Sequence, residues 1–256
     1  MPIRRISKHV KDQNWFAVCI DLVVVFLAVF IGLQADSWNE ERIADKTAKT
    51  YYTRLIGDLH AELRQRQARA VYYERTITHA EAALSSLQTS KQPLGKEFLI
   101  DAYQATQRWP YSAQRTTYDE LVGVGIANAI PNAEIRSKLA NVYINFEGSS
   151  ITQNEPIPFR DRLRHEMLHE VQSTIREVCG DRFVFQENGQ VYLELPEFCD
   201  VEMETSLVEE AVLALRAYDG FVKDLTHHIA ILDTKLKSLR GYEQLISETI
   251  EILAAQ

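Results

Sequence analysis

Residues 15–35 read WFAVCIDLVVVFLAVFIGLQA. Asp21 is the only charged residue in this stretch, and Trp15 and Trp38 bracket it. A run of about 20 mainly apolar residues spans a bilayer as a helix, at a rise near 1.5 Å each. The stretch therefore predicts one transmembrane helix, with Trp15 and Trp38 at the two membrane interfaces. Its apolar length exceeds the ~7–15 residues of a secretory signal. An uncleaved anchor is the reading adopted, and a signal cleaved near Leu33-Gln34-Ala35 is the alternative.

Working outward, the flanking charges set the orientation. Arg4, Arg5, Lys8 and Lys11 precede the span against one acid, Asp12, whereas Asp36, Glu40 and Glu41 follow it before Arg42. An excess of Lys and Arg marks the cytoplasmic side. Residues 1–14 are thus expected to form a short cytoplasmic tail. Residues 36–256 are expected to form one helical-bundle domain in the periplasm, across a bacterial inner membrane. Of 28 Lys+Arg and 36 Asp+Glu, four and two lie in residues 1–35, leaving a net charge of −10 on the remainder. So acidic a surface does not suit nucleic acid or an anionic lipid surface.

The exported part reads as mainly helical. Ten Gly and seven Pro in 256 residues is sparse. Tyr52, Ile56, Leu59, Leu63, Arg66, Ala70, Tyr73, Ile77, Ala80, Leu84 and Leu87 alternate in steps of four and three, with only Arg66 out of pattern. Leu225, Ile229, Leu232, Leu236, Leu239, Glu243, Ile246, Ile250 and Leu253 repeat the spacing, with Glu243 out of pattern. Such spacing describes a narrow apolar seam buried against another helix. No Gly or Pro lies between Gly32 and Gly57, so the first helix is expected to run on from the span. The last helix, about 204–254, is expected to pack antiparallel to it as a stalk, with a bend at Gly220. Between them the expectation is helices at about 96–108, 113–123, 133–146 and 159–178, with residues 148–158 as a loop.

Three cysteines are present: Cys19 in the span, and Cys179 and Cys199 outside it. Between the latter two lies FVFQENGQVYLEL, with Asn188-Gly189 at its centre. Asn-Gly between apolar runs signals a two-residue hairpin turn, here about 183–195. The hairpin brings Cys179 and Cys199 together, and an oxidising compartment favours a disulfide between them.

His165-Glu166-Met167-Leu168-His169 fits H-E-x-x-H, in which two histidines one helical turn apart bind zinc and the glutamate activates its water. On one helix, however, Phe159, Leu163, Met167, Val171, Ile175 and Val178 share a face. His165 and His169 then fall opposite it, beside Arg162, Gln172 and Arg176. A zinc hydrolase using His165, Glu166 and His169 is therefore the weakest of the functional readings, and no metal or other cofactor is expected. His227 and His228 point about 100° apart on a helix and cannot chelate one metal together. His60 and His79 are expected on helix surfaces. Paired tyrosines such as Tyr51-Tyr52 and Tyr72-Tyr73 are expected to pack rather than to cage a ligand.

Asp21 supports two readings: a protonated or snorkelling acid near the cytoplasmic interface, or a polar contact with another membrane helix. Ala28 and Gly32, four residues apart, would let a partner helix approach closely.

Residues 31–42, IGLQADSWNEER, and Thr117-Tyr118-Asp119-Glu120-Leu121 with Gly125 and 133–143 resemble two blocks of an uncharacterised bacterial family. That family carries only a domain-of-unknown-function label. Ala35 and Asp36 depart from its pattern, where polar amides are common. The resemblance implies a single-span protein with a helical exported domain and supplies no catalytic residues.

The leading expectation is a non-enzymatic interaction protein, an accessory or structural subunit of a larger membrane complex such as an electron-transfer or light-harvesting assembly. Its partners would be lipid, other membrane subunits or itself. The alternative is a periplasmic ligand-sensing module acting through a partner.

Overall fold

A computed structural model describes residues 15–89, 93–187 and 189–256. The molecule is mainly α-helical, with a single small hairpin among the described residues. Its spine is α1, Trp15–Gln88, 74 residues without a break, about 110 Å at 1.5 Å per residue. No proline interrupts it, and Gly32 and Gly57 are tolerated within it.

Around the second half of this spine are wound α2 (Lys96–Gln104), α3 (Thr116–Val124), α4 (Ile126–Ala129), α5 (Ala133–Asn154), α6 (Pro158–Glu166) and α7 (His169–Cys179). The hairpin follows, β1 (Arg182–Phe185) and β2 (Val191–Glu194), and then α8 (Thr205–Ala217), α9 (Phe221–Gly241) and α10 (Glu243–Ala254). α9 makes the most extensive helix packing against α1, and α10 continues it back along the same helix. The antiparallel stalk read from the two seams is therefore present.

The seam itself lies one register from the apolar stripe. Ala48, Tyr52, Leu55, Leu59, Glu62, Arg66, Arg69, Tyr73, Thr76, Ala80 and Ala83 are all buried. They follow steps of four and three without a slip. Five of the expected positions belong to this set and a sixth, Ala70, is buried beside it; Ile56, Leu63, Ile77, Leu84 and Leu87 flank it, half-buried. The partner strip is Phe221, Leu225, His228, Leu232, Lys235 and Leu239, continued by Ile246, Thr249 and Leu253. Ile229, Leu236 and Ile250 again flank it. Both buried strips are thus mainly apolar but admit polar residues, Glu62, Arg66, Arg69 and Thr76 on one and His228, Lys235 and Thr249 on the other.

The core divides accordingly. A cluster nearer the N-terminal end of α1 joins Tyr52, Leu55 and Leu59 to Leu121, Ile130, Leu139, Val142, Phe146, Ile246 and Leu253. A distal cluster joins Tyr72, Tyr73 and Ala80 to Leu99, Tyr103, Leu163, Val171, Leu215, Leu225 and Leu232. Between them sits a layer of buried polar side chains.

Several expected boundaries are corrected. The C-terminal helix is three: Gly220 breaks it with φ +82°, and Tyr242 separates α9 from α10 with φ −97°, ψ −6°. α5 runs on to Asn154, through most of the expected 148–158 loop. Asn132 caps its N-terminus, its side chain accepting from the backbone N–H of Glu134 and Ile135. α2 stops at Gln104 and α3 starts at Thr116. The expected 159–178 helix is broken at Met167 and Leu168, whose ψ angles of 132° and 134° are extended. The opened turn is held by Gln172, which donates from Nε2 to the carbonyls of Arg164 and Met167, both at 2.7 Å.

In the hairpin, Phe183 pairs with Leu193 and Phe185 with Val191. Asn188 lies outside the described residues; Gly189 has φ +79°, as the turn requires.

Candidate functional site: the unpartnered span and the polar layer behind it

Among the described residues, the first part of α1 is buried against no other element. No residue of its most hydrophobic window is buried. Leu22, Val23, Val24, Val25, Phe26, Leu27, Val29, Phe30 and Ile31 are exposed all around the helix. An apolar helix without a polar face has no stable place in water. By length and composition it can cross a bilayer.

Trp15 and Trp38 are 69 % and 72 % exposed, at the two ends of this stretch. Ala28 and Gly32 are exposed too, and no neighbour lies within 4 Å of a Cβ placed on Gly32. Asp21 shares their side of the helix, seven and eleven residues away, so one strip of the span is short and polar while the rest is bulky. Beyond it, residues 36–47 continue as bare helix until Ala48, the first buried residue of the head.

Behind the head's first core lies the polar layer. Glu62 and Arg66, one turn apart on α1, are fully buried. Glu62 accepts hydrogen bonds from Arg66 Nε at 2.6 Å, the Tyr111 hydroxyl at 2.5 Å and the Gln114 backbone N–H at 3.1 Å. Arg66 also donates from Nη1 to Ser149 Oγ at 3.2 Å and from Nη2 to the Tyr111 hydroxyl. Its guanidinium faces the rings of Tyr111, Phe146 and Tyr242 at 5.0, 4.9 and 5.4 Å.

Arg69, one turn on, donates from Nη2 to the Pro110 carbonyl at 3.0 Å and lies over the Trp109 ring at 4.6 Å. Its Nε and Nη1 are buried without a partner, and burial lowers its pKa. From α9, Lys235 donates to the Gln153 carbonyl at 2.6 Å while Gln153 donates back to the Lys235 carbonyl at 2.8 Å. Burial pushes the Lys235 ammonium down to about 8. Arg66 and Arg69 thus share one carboxylate, Glu62, whereas the carboxylate acting on Lys235 is Glu155; aromatic faces and carbonyls around the two arginines make that arrangement tolerable.

Cys179 and Cys199 are joined in a disulfide, with Cα atoms 5.5 Å apart. His165 and His169 lie on different helices, α6 and α7, so the H-E-x-x-H geometry is absent. The His165 side chain is 86 % exposed and lies 3.7 Å from Glu166; His169 meets Ser173 at 3.3 Å. Among the described residues no group of three or more His, Cys, Asp or Glu could hold a metal. Of the side chains expected beside the histidines on a solvated face, Gln172 is instead buried, capping the break.

His227 is exposed and His228 buried, with its Nε2 on the Ala105 carbonyl at 2.7 Å and its ring stacked on Phe159 at 5.1 Å. Burial pushes His228 down to about 4. His79 is not a surface residue: its Nδ1 meets Asp101 Oδ1 at 2.7 Å. Tyr72 and Tyr73 pack edge to face at 5.6 Å, as packing aromatics.

Sequence reading missed the polar layer, because Glu62, Arg69 and Lys235 look like ordinary surface residues of an amphipathic helix. One signal was present: Arg66 falls on the apolar stripe, with Glu62 four residues before it. No protein-family model, no curated protein and no solved structure matches this chain.

Proposed function

We propose that this is a membrane-anchored helical interaction protein. One unbroken helix crosses the bacterial inner membrane and carries the head into the periplasm, where it serves a larger membrane complex as an accessory or structural subunit, or a second copy of itself. The observation that carries this reading is an all-round apolar, wholly unpartnered stretch running without a hinge into the centre of the head. The helix between Ala35 and Ala48 sets a stand-off of about 20 Å at 1.5 Å per residue.

Three further features support it. Asp21, Ala28 and Gly32 form the strip of the span where another helix packs most closely. The disulfide suits an oxidising compartment. Phe183, Phe185 and Val191 stand exposed together on the outer face of the hairpin, an apolar surface left uncovered among the described residues. The same rigid helix also supports the second reading, a sensing module that passes a displacement of the head to a partner across the membrane.

Solubilisation in a mild detergent, followed by affinity purification and cross-linking, tests the proposal. Co-purifying membrane subunits or a defined self-assembly are expected. A monodisperse monomer with nothing bound would remove its basis, as would recovery of the intact chain from the soluble fraction.

A further inference from the structure

The turn after α2 gathers three arginines in a chain of net charge −8. Arg160 and Arg164, one turn apart on α6, both reach Thr106. Arg160 donates from Nη1 to its carbonyl. Arg164 donates from Nε to its hydroxyl at 2.8 Å and from Nη2 to Gln107 Oε1 at 3.4 Å. The Arg164 guanidinium lies 3.4 Å from the centroid of the Tyr103 ring. From α7, Arg176 donates from Nε to the Tyr103 hydroxyl at 3.2 Å.

Among the described residues none of the three arginines forms an ion pair. Asp181 lies within electrostatic reach of Arg160 and Arg164, but its Oδ1 accepts from the Tyr72 hydroxyl at 2.8 Å rather than from either. Even counting Asp181, the cluster keeps an excess of two positive charges. Burial, and then the Arg160 and Arg176 charges, pull the Arg164 guanidinium down to about 10, so it stays charged at neutral pH. A half-buried cation held beside two others, with no anion in contact, is an unfavourable arrangement. Arg160 Nε and Nη2, Arg164 Nη1, and both terminal nitrogens of Arg176 make no hydrogen bond within the described chain, and Arg176 is open to solvent.

We propose that Arg160, Arg164 and Arg176 form a binding site for the phosphate group of a small solute. Guanidinium forks match phosphate oxygens bidentately, and a phosphate near two negative charges offsets the local excess. Lipid headgroups of the spanned membrane are out of reach. Tyr72, which holds Asp181, stands 37 residues past Ala35 on α1, about 55 Å away at 1.5 Å per residue.

Thermal unfolding of the full chain in neutral detergent at pH 7.5 tests this, with chloride replaced by inorganic phosphate at constant ionic strength and a parallel arm using glycerol phosphate. A saturable rise in Tm is expected, about 3–6 °C at ten times the dissociation constant. Arg160→Gln and Arg176→Gln should abolish it, while Arg216→Gln, an exposed arginine on α8 outside the cluster, should keep it. Far-UV circular dichroism in chloride verifies that each variant is folded. Saturation by inorganic phosphate with no gain from the ester identifies the free anion; tighter binding of the ester identifies the phosphoryl group of an organic solute. A rise absent from both arms, or one equal in Arg176→Gln and the parent, overturns the proposal.

Discussion

Replacing Glu62 by Gln is the sharpest probe of the polar layer. The substitution keeps the shape and removes the one carboxylate that Arg66, Tyr111 and the Gln114 amide converge on. Arg66 would then be a fully buried cation beside Arg69, stripped of its carboxylate partner. Removing one partner of a buried pair costs about 3–5 kcal/mol, because the stranded charge stays desolvated. A domain of this size loses roughly 2–4 °C in Tm per kcal/mol, which gives a fall of about 6–20 °C. The double variant Glu62→Gln, Arg66→Met removes both charges and should recover a large part of the loss. The assay is thermal unfolding of the full chain in detergent, followed by circular dichroism at 222 nm. A Glu62→Gln variant within about 1 kcal/mol of the parent, or a double variant no more stable than the single, would refute the idea that the pair is held against an uncompensated charge.

Two other outcomes follow from the geometry. Cys199→Ser, or reduction of the parent, opens a loop of sequence separation 20 and should cost about 3 kcal/mol by loop-closure entropy. A reduced protein that melts with the oxidised one would contradict this. Burial holds His228 neutral with its pKa lowered to about 4, below the ordinary value of 6.5. Its contribution is therefore whole above pH 6.5 and lost as the pH falls from there through 4, by up to about 3 kcal/mol. The difference in stability between the parent and His228→Gln should shrink across that window, and a constant difference from pH 7 to 4 would show that the histidine does not titrate with unfolding.

The polar layer has a structural reading as well as an energetic one. Two long seams of similar apolar residues can slide past one another by a heptad. Buried polar groups that meet only in one register prevent this, at some cost in stability. Here Glu62 and Arg66 on α1 meet Tyr111, Ser149 and the Tyr242 ring between two apolar clusters.

What the sequence determined by itself is what depends on composition and short-range periodicity. An all-round apolar run of span length, the absence of proline through α1, Gly220 as a break, Asn132 as a cap and the Asn-Gly hairpin bringing two cysteines together are each properties of neighbouring residues. Only the tertiary structure decided which residues face inward. The apolar stripe pointed to Ile56, Leu63 and Ile77, whereas packing put Glu62, Arg69 and Thr76 at the centre, because partners distant in sequence satisfy them there. The break at Met167 carries no glycine or proline; it exists because Gln172 binds the freed carbonyls, and it alone separates His165 from His169. Hydrogen bonds between segments far apart in the chain outweigh local propensity at these places, and no window of adjacent residues records them.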